Sequence, residues 1–457
     1  MNIKTIINIL TISAALFLLQ SCFVAKKYAT PQVVESAYYR TDLLPDDSVS
    51  MAGVSWRDIF TDPILVRHIE EGLGNNIDIR VALQQINAAE AAYKQSKATF
   101  LPIANASGQA GRVQDWDGGS MSYELAGAFS WEADIWGRIR SAERASRASY
   151  LQSVAAHKAV KTRLIANIAS LYYQLLALDE QLRIAEETIE NRENSLETTV
   201  ALKDAGTVTE VAVSQTEAQL HSARSLAVDI RFRIRTLENA FSILLGREPG
   251  NVERSDLAAQ EITADLNIGY PVQLLRNRPD VIAAEYNLVN AFELTNVARS
   301  AFYPSLNLSL AGGLQSGSLD NFFSVHSLFA NLAASITQPL LNGRRIRAQY
   351  EIAQSQQEIA YLNFRQAILV ASGEVSDAMY AIDAARQRIE LKAREFESYD
   401  AAVEYSEALL NSGFANYLEV LTARQNALNA QLDLIEARFS RLDATVALYR
   451  SLGGGWL

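Results

Sequence analysis

The sequence predicts a mainly α protein with a smaller β part, built as one structural unit repeated in tandem. Three observations carry this. Proline is absent from 138–245 and from 340–457, so two stretches of more than a hundred residues lack the strongest helix breaker. Within those stretches apolar residues recur every three or four positions over many turns. Between them lie short segments that alternate apolar and polar residues strictly by two. Composition agrees. The 457 residues are 49% hydrophobic and 20% charged, too apolar for a disordered chain. The net charge of −11 argues against a nucleic-acid surface. A single cysteine excludes an intrachain disulfide and any cysteine-based zinc or iron–sulfur site.

Taken in chain order, residues 1–21 read as a signal peptide. Lys4 supplies a positive start, Ile6 to Leu19 an apolar run, and Ser21 a small residue before the cut. The apolar run is 14 residues, short of the ~20 that a spanning helix needs. The sole cysteine, Cys22, closes this segment in a position that resembles a bacterial lipobox, where the cysteine is acylated and becomes the first mature residue. Ser21 fits that pattern, and Gln20 departs from its commonest form. Phe23 stands where an aspartate would, in some bacteria, signal inner-membrane retention, which favours the outer membrane. Residues 22–63 then form a lipid-anchored N-terminal segment.

The rest of the chain repeats. Arg138-Ile139-Arg140 recurs as Arg345-Ile346-Arg347, and at the same offset of 207 Tyr173 matches Tyr380, Gly206 matches Gly413 and Leu245-Gly246 matches Leu452-Gly453. Upstream the offset is 202, with Asp78 on Asp280 and Pro102 on Pro304. The first repeat is placed at 64–256 and the second at 257–457, each holding a helix, a β-hairpin and a long helical hairpin. In the first, Leu164, Ile168, Leu171, Leu175, Leu178 and Leu182 alternate steps of four and three. In the second, Ile368, Val375, Ile382, Ile389, Phe396, Val403 and Leu410 fall every seven residues. Such heptads predict coiled-coil helices, and the stretch from Arg138 to Leu202 would be roughly 100 Å long at the α-helical rise. Gly206 and Gly413 interrupt the runs and predict tight turns at the hairpin tips.

Four segments predict strands: 101–112, 121–136, 304–314 and 328–337. In 121–136, Tyr123, Leu125, Phe129, Trp131 and Ile135 share one face, and Glu124, Glu132 and Asp134 the other. Trp116-Asp117-Gly118-Gly119 and Gln315-Ser316-Gly317-Ser318 predict the hairpin turns. Four strands are too few to close a membrane barrel alone, which takes about eight. Either the helices cover a soluble sheet, or several chains pool their strands.

Several motifs resemble one family. Trp56-Arg57-Asp58-Ile59-Phe60-Thr61-Asp62-Pro63-Ile64-Leu65 is similar to the W-x-x-x-F-x-D-P-x-L opening of the TolC-like outer-membrane factors. Leu274-Leu275-Arg276-Asn277-Arg278-Pro279-Asp280-Val281 resembles their R-P-D-[IV] signature, Ala301-Phe302-Tyr303-Pro304 the approach to their third strand, and Leu452-Gly453-Gly454-Gly455-Trp456 their C-terminal L-G-G-G-W. With the lipobox, the resemblance is to the lipoprotein branch that serves resistance-nodulation-division efflux pumps. It implies a homotrimer with a twelve-stranded outer-membrane β-barrel continuous with a periplasmic α-barrel. It also implies an outer-membrane exit duct that passively conducts small molecules from an inner-membrane pump and a periplasmic adaptor, with no enzyme activity. The competing reading is a periplasmic coiled-coil scaffold or adaptor lipoprotein without a channel.

The resemblance places a periplasmic gate at Leu418, Glu419 and Thr422, and adaptor-contact tips at Gly206, Thr207, Gly413 and Phe414. Thr422 stands where many relatives carry aspartate, Asn411 where many carry a basic residue, and Arg344 where glycine is common. Glu124, Glu132 and Asp134 either line a pore or pair with Arg138, Arg140, Arg344, Arg345 and Arg347 at the strand–helix junctions. His68, His157, His221 and His326 are too scattered for a metal site, and the only cofactor expected is a covalent N-terminal lipid on Cys22.

Overall fold

The computed structural model describes residues 24–32, 53–116, 118–260 and 277–456. The signal segment, Cys22 and the stretch Leu274-Leu275-Arg276 lie outside the described residues. In order, the elements are α1 (Trp56–Ile59), α2 (Pro63–Asn75), α3 (Ile77–Ala98), β1 (Ile103–Asp115), β2 (Gly118–Ala133), α4 (Arg138–Asp204), α5 (Glu210–Leu244), α6 (Pro279–Ser300), β3 (Ser305–Ser316), β4 (Leu328–Thr337), α7 (Arg345–Asn411) and α8 (Tyr417–Ser451). The long helices of the two copies match in length. Helices α3 and α6 are 22 residues each, α4 and α7 67 each, and α5 and α8 35 each. Among the described residues no helix is long and apolar enough to cross a membrane.

The chain forms two compact units, each drawing on both repeats. Of the described residues, one takes those in 24–32, 84–155 and 282–366. It holds an antiparallel sheet in the order β1-β2-β3-β4. The central ladder, from Tyr123↔Ser316 to Ala133↔Leu306, joins a strand of each copy. The outer edges of β1 and β4 have no strand beside them among the described residues. Leu125, Phe129, Leu310, Leu332 and Ile336 stand exposed, so the sheet carries an apolar face that none of the described residues covers.

Several strand boundaries differ from the sequence expectation. The first hairpin turns tightly, with Asp115 paired to Gly118, so β1 runs three residues past the expected end and β2 begins three residues before the expected start. The 121–136 segment stops early because Asp134 leaves the ladder to cap α4, which puts Ile135 beyond the strand. The second hairpin is looser than the expected four-residue turn. After Ser316 the chain passes through a loop and a 3-10 turn (Val325–Ser327) before β4.

Of the described residues, the other unit takes 53–83, 156–260, 277–281 and 367–456. Its core gathers Phe60, Leu65, Ile69, Ile165, Ile168, Tyr172, Leu175 and Phe241, all fully buried. Asp62 caps α2 by accepting from the Ile64 amide at 2.8 Å, and its other oxygen accepts from the Tyr172 hydroxyl at 2.7 Å, from Ser255 and from Gln260. Gly246 and Gly453 end the two hairpins with positive φ (72° and 89°). A Cβ there would lie 2.5 Å from the Asn75 carbonyl oxygen and 2.4 Å from that of Asn277. Both positions therefore demand glycine twice over, for backbone shape and for space.

Candidate functional site

Each long hairpin turns in the same way. Helix α4 ends with Gly206 at φ 76°, and α7 with Gly413 at φ 76°. The Gly206 amide bonds to the Lys203 carbonyl at 2.8 Å and Thr207 to Leu202 at 2.9 Å. At the other tip Gly413 bonds to Leu410 at 3.0 Å and Phe414 to Leu409 at 2.8 Å. A residue in left-handed conformation that reverses the chain in this way satisfies the last helical carbonyls without a side chain. Nothing lies within 4 Å of the space beside either glycine, and Phe414 is 83% exposed. Both expected adaptor tips are thus open backbone turns on the surface of the chain.

The turns differ in how the next helix starts. Asn416 caps α8: its side chain accepts from the Glu419 amide at 3.1 Å and donates to the Glu419 carboxylate at 3.2 Å. Thr209 at the start of α5 makes no such side-chain bond. Glu419 is therefore tied to its own cap. Leu418 is 56% exposed, and Thr422, one turn on along the same face, donates to the Leu418 carbonyl at 2.8 Å. The three residues expected at the gate lie together on the exposed face of the first two turns of α8.

Behind the tips lies a polar cluster that sequence reasoning missed. Arg192, 6% exposed, donates to the Gln219 carbonyl at 2.6 Å and to the Gln425 side chain at 2.9 Å, joining α4 to α5 and α8. Burial, helped by the neighbouring Arg424, holds its pKa below the usual arginine value. Arg424 in turn donates to Glu407 at 2.6 and 2.9 Å and to Ser195 at 2.5 Å. The Tyr417 hydroxyl accepts from Thr199 at 2.9 Å and Thr216 at 3.0 Å. Arg192, Ser195, Thr199, Glu407, Tyr417 and Arg424 line a groove of about 730 Å³. Their signal in the sequence is an arginine on a seam-facing position of each hairpin, which heptad counting treats as a solvated charge.

The strand acids are not alike. Glu132 accepts both guanidinium branches of Arg138, at 2.8 and 2.5 Å. Asp134 accepts from the Ile139 amide at 2.8 Å, the Arg140 amide at 3.0 Å and the Arg140 side chain at 3.0 Å. Both therefore brace the start of α4. Glu124 sits mid-strand opposite Gln109 and Gln315, half-buried. At the second junction Arg344 and Arg347 turn to Glu351, at 3.5 and 3.1 Å, rather than to a strand acid. Arg344 itself is in the left-handed region at φ 66°, where the first copy has Gly137 at φ 77°.

Comparison with known proteins bears on the whole chain. The family described as outer membrane efflux protein matches residues 68–247 and 270–454, one segment per repeat. A probable outer membrane lipoprotein of Salmonella typhimurium, SilC, is 29% identical over 99% of this chain and 99% of its own. The cation efflux system protein CusC of Escherichia coli O6:H1 is 29% identical, covering 90% of each chain. Among solved structures, the outer-membrane channel OprN superposes with a TM-score of 0.87 at 27% identity, over 94% of this chain and 99% of that one. A CusC structure gives 0.85 at 27% identity over 94% and 99%. The match falls on the same two repeats that the internal duplication and the paired hairpins define, and it shows that this chain belongs to the outer membrane efflux protein family and is an exit duct of the outer membrane.

Proposed function

We propose that three copies of this chain assemble into one duct, with a periplasmic adaptor and an inner-membrane pump of the resistance-nodulation-division class completing the path. The observation that carries the trimer is the sheet: four strands, two bare edges and an uncovered apolar face. In lipid an open edge leaves backbone groups unpaired, so strands from other chains must close it, and three copies supply twelve. The heptad seams support the same reading. Ile168 and Val375 are fully buried within the chain, whereas Ile189, Leu196, Ile389, Phe396 and Val403 nearer the tips are only half-buried. Neighbouring hairpins would finish their burial.

In this reading Cys22 carries the N-terminal lipid and tethers the chain to the inner leaflet of the outer membrane. The adaptor engages the turns at Gly206, Thr207, Gly413 and Phe414. Leu418 forms the constriction, and the Asn416–Glu419 pair and Thr422 surround it, which makes the closure apolar rather than a charge latch. Glu124 faces the pore, whereas Glu132 and Asp134 serve the junction. No catalytic group or resident metal takes part, and the cargo is chosen by the pump.

Single-channel recording in planar bilayers and native mass spectrometry test this. The expected result is a trimer that conducts, and widened conductance when Leu418 is replaced by Ser. After Cys22→Ala the duct should stay in the outer-membrane fraction through its barrel. A water-soluble monomer without conductance would overturn the proposal and leave a tethered scaffold.

A further inference from the structure

The first described residues form a strap along α6. The Lys26 amide donates to the Asn296 side chain at 3.1 Å, and that side chain returns a bond to the Lys26 carbonyl at 3.0 Å. Arg299 donates to the Val24 carbonyl at 3.2 Å, Thr30 to Glu285 at 2.6 Å, and Tyr28 packs edge-on against Phe292 at 5.5 Å. Val24 is buried. This strap and the start of α4 enclose a cavity of about 740 Å³. One wall is apolar and aromatic, made by Trp136, Leu151, Tyr286 and Val289. Trp136 is fixed there by stacking on Tyr303 at 4.9 Å and by donating to the Pro304 carbonyl at 2.7 Å.

The rim is cationic. Arg140, Arg144 and Arg147 share one face of α4, and Lys26 and Lys27 approach from the strap. The one acid of the lining, Glu293, is held by Arg144 at 2.7 and 3.0 Å, and Arg140 is held by Asp134. Among the described residues, Lys26, Lys27 and Arg147 have no carboxylate partner. Among the described residues, three uncompensated cations thus border a cavity with an apolar wall. Trp136 lies three residues beyond the end of β2, the strand whose exposed apolar residues face lipid in the proposed barrel. Ala25 lies three residues after Cys22, so an acylated Cys22 would put the strap within about 10 Å of chain from the membrane surface.

We propose that this cavity binds an anionic phospholipid, its headgroup phosphate against Lys26, Lys27 and Arg147 and its glycerol and upper acyl carbons on the Trp136–Leu151–Tyr286 wall. Charge and apolar lining occur together here, which suits an amphiphile better than a free anion or a neutral lipid. For its depth at the membrane the site draws on the reading of Cys22 as the acylated residue. The bound lipid would act as a second membrane contact beside the acyl chains, fixing the strap against the duct.

The test is native mass spectrometry of the full mature protein in detergent, titrated with phosphatidylglycerol or phosphatidylcholine, with inorganic phosphate as competitor. The wild type should bind phosphatidylglycerol in preference to phosphatidylcholine. The variant K26Q/K27Q/R147Q, with unchanged circular dichroism, should lose that lipid on the order of a hundredfold in affinity, since each basic group near an anionic surface contributes about fivefold. Equal binding of both lipids, no loss in the variant, or displacement by millimolar phosphate would overturn the site. The same spectra report acylation. A mature chain without acyl mass that still selects phosphatidylglycerol would sink the lipid-anchor reading and leave this site standing.

Discussion

The two copies of the repeat share a backbone and differ in how side chains hold it. Where helix α5 ends, the Asn76 side chain donates to the Leu244 carbonyl at 2.9 Å. Where α8 ends, Arg278 donates to the Ser451 carbonyl at 3.1 Å. The positions are equivalent, and the carbonyl served is equivalent. Asn76 does this as a neutral amide, also accepting from the Ile79 amide at 3.1 Å. Arg278 brings a charge, so the second copy must surround it with Asp280 at 2.5 and 2.9 Å and Glu374 at 2.6 Å. The R-P-D signature is thus the charged solution to a backbone problem that the first copy solves with Asn-Ile-Asp. The orphan carbonyl at the helix end is the constraint, and its donor is free to change.

The sharpest way to break this comparison is at the shared glycines. Gly246→Ala and Gly453→Ala should each cost more than about 3 kcal/mol, because the added methyl meets a backbone carbonyl in a region L residues avoid. Gly206→Ala and Gly413→Ala, also left-handed but with open space, should cost only about 1 kcal/mol. Thermal unfolding followed by circular dichroism separates the two classes. A mild Gly246→Ala would show that the first copy does not need the close approach that the second does.

The next largest effect contrasts the two pins. Arg278→Ala should cost about 3–5 kcal/mol, since it strips partners from a buried ionic cluster, whereas Asn76→Ala should cost about 1–3 kcal/mol. Acid discriminates them further. Burial alone would raise the Asp280 pKa, but the bonds and charge of Arg278 outweigh it and hold the carboxyl below its usual range. Its contribution is therefore complete above the unfolded-state value of about 4 and is lost as pH falls through the folded value. The wild type should lose stability over that window, and Arg278→Ala should lose less, as read from unfolding midpoints across the pH series.

The smallest effect sharpens the comparison at the junctions. Arg344→Gly should gain about 0.5–1 kcal/mol by relieving the left-handed backbone, and Gly137→Arg should lose about 1–2 kcal/mol. If Arg344→Gly loses stability, the side chain and its contact with Glu351 do more than the backbone suggests.

Much of this was legible in advance, for reasons particular residues make plain. Gly206 and Gly413 end apolar periods, and a glycine at the end of a helix has few other uses. The helices at 138–204 and 345–411 were visible because seams such as Ile168 and Val375 repeat over many turns, which averages away local noise. Strand ends were less legible: alternation continues through Ile135, yet Asp134 has already left the ladder, because two amides at the start of α4 compete for its carboxylate. The strap from Val24 to Thr30 and the Arg192–Gln425 contact carry no period and pair residues more than two hundred positions apart. Nothing local announces such pairs.

The sequence alone determined the duplication, the helix lengths, the tip turns and the amphipathic faces of the strands. These follow from short-range rules of period, proline and glycine that act within a few residues. Only the tertiary structure decided that β2 and β3 join the two copies, that Glu132 and Asp134 brace a helix start, and that the strap closes a cationic cavity. Those outcomes depend on which distant groups must satisfy each other's hydrogen bonds and charges once burial has removed water, and that requirement is met in space rather than along the chain.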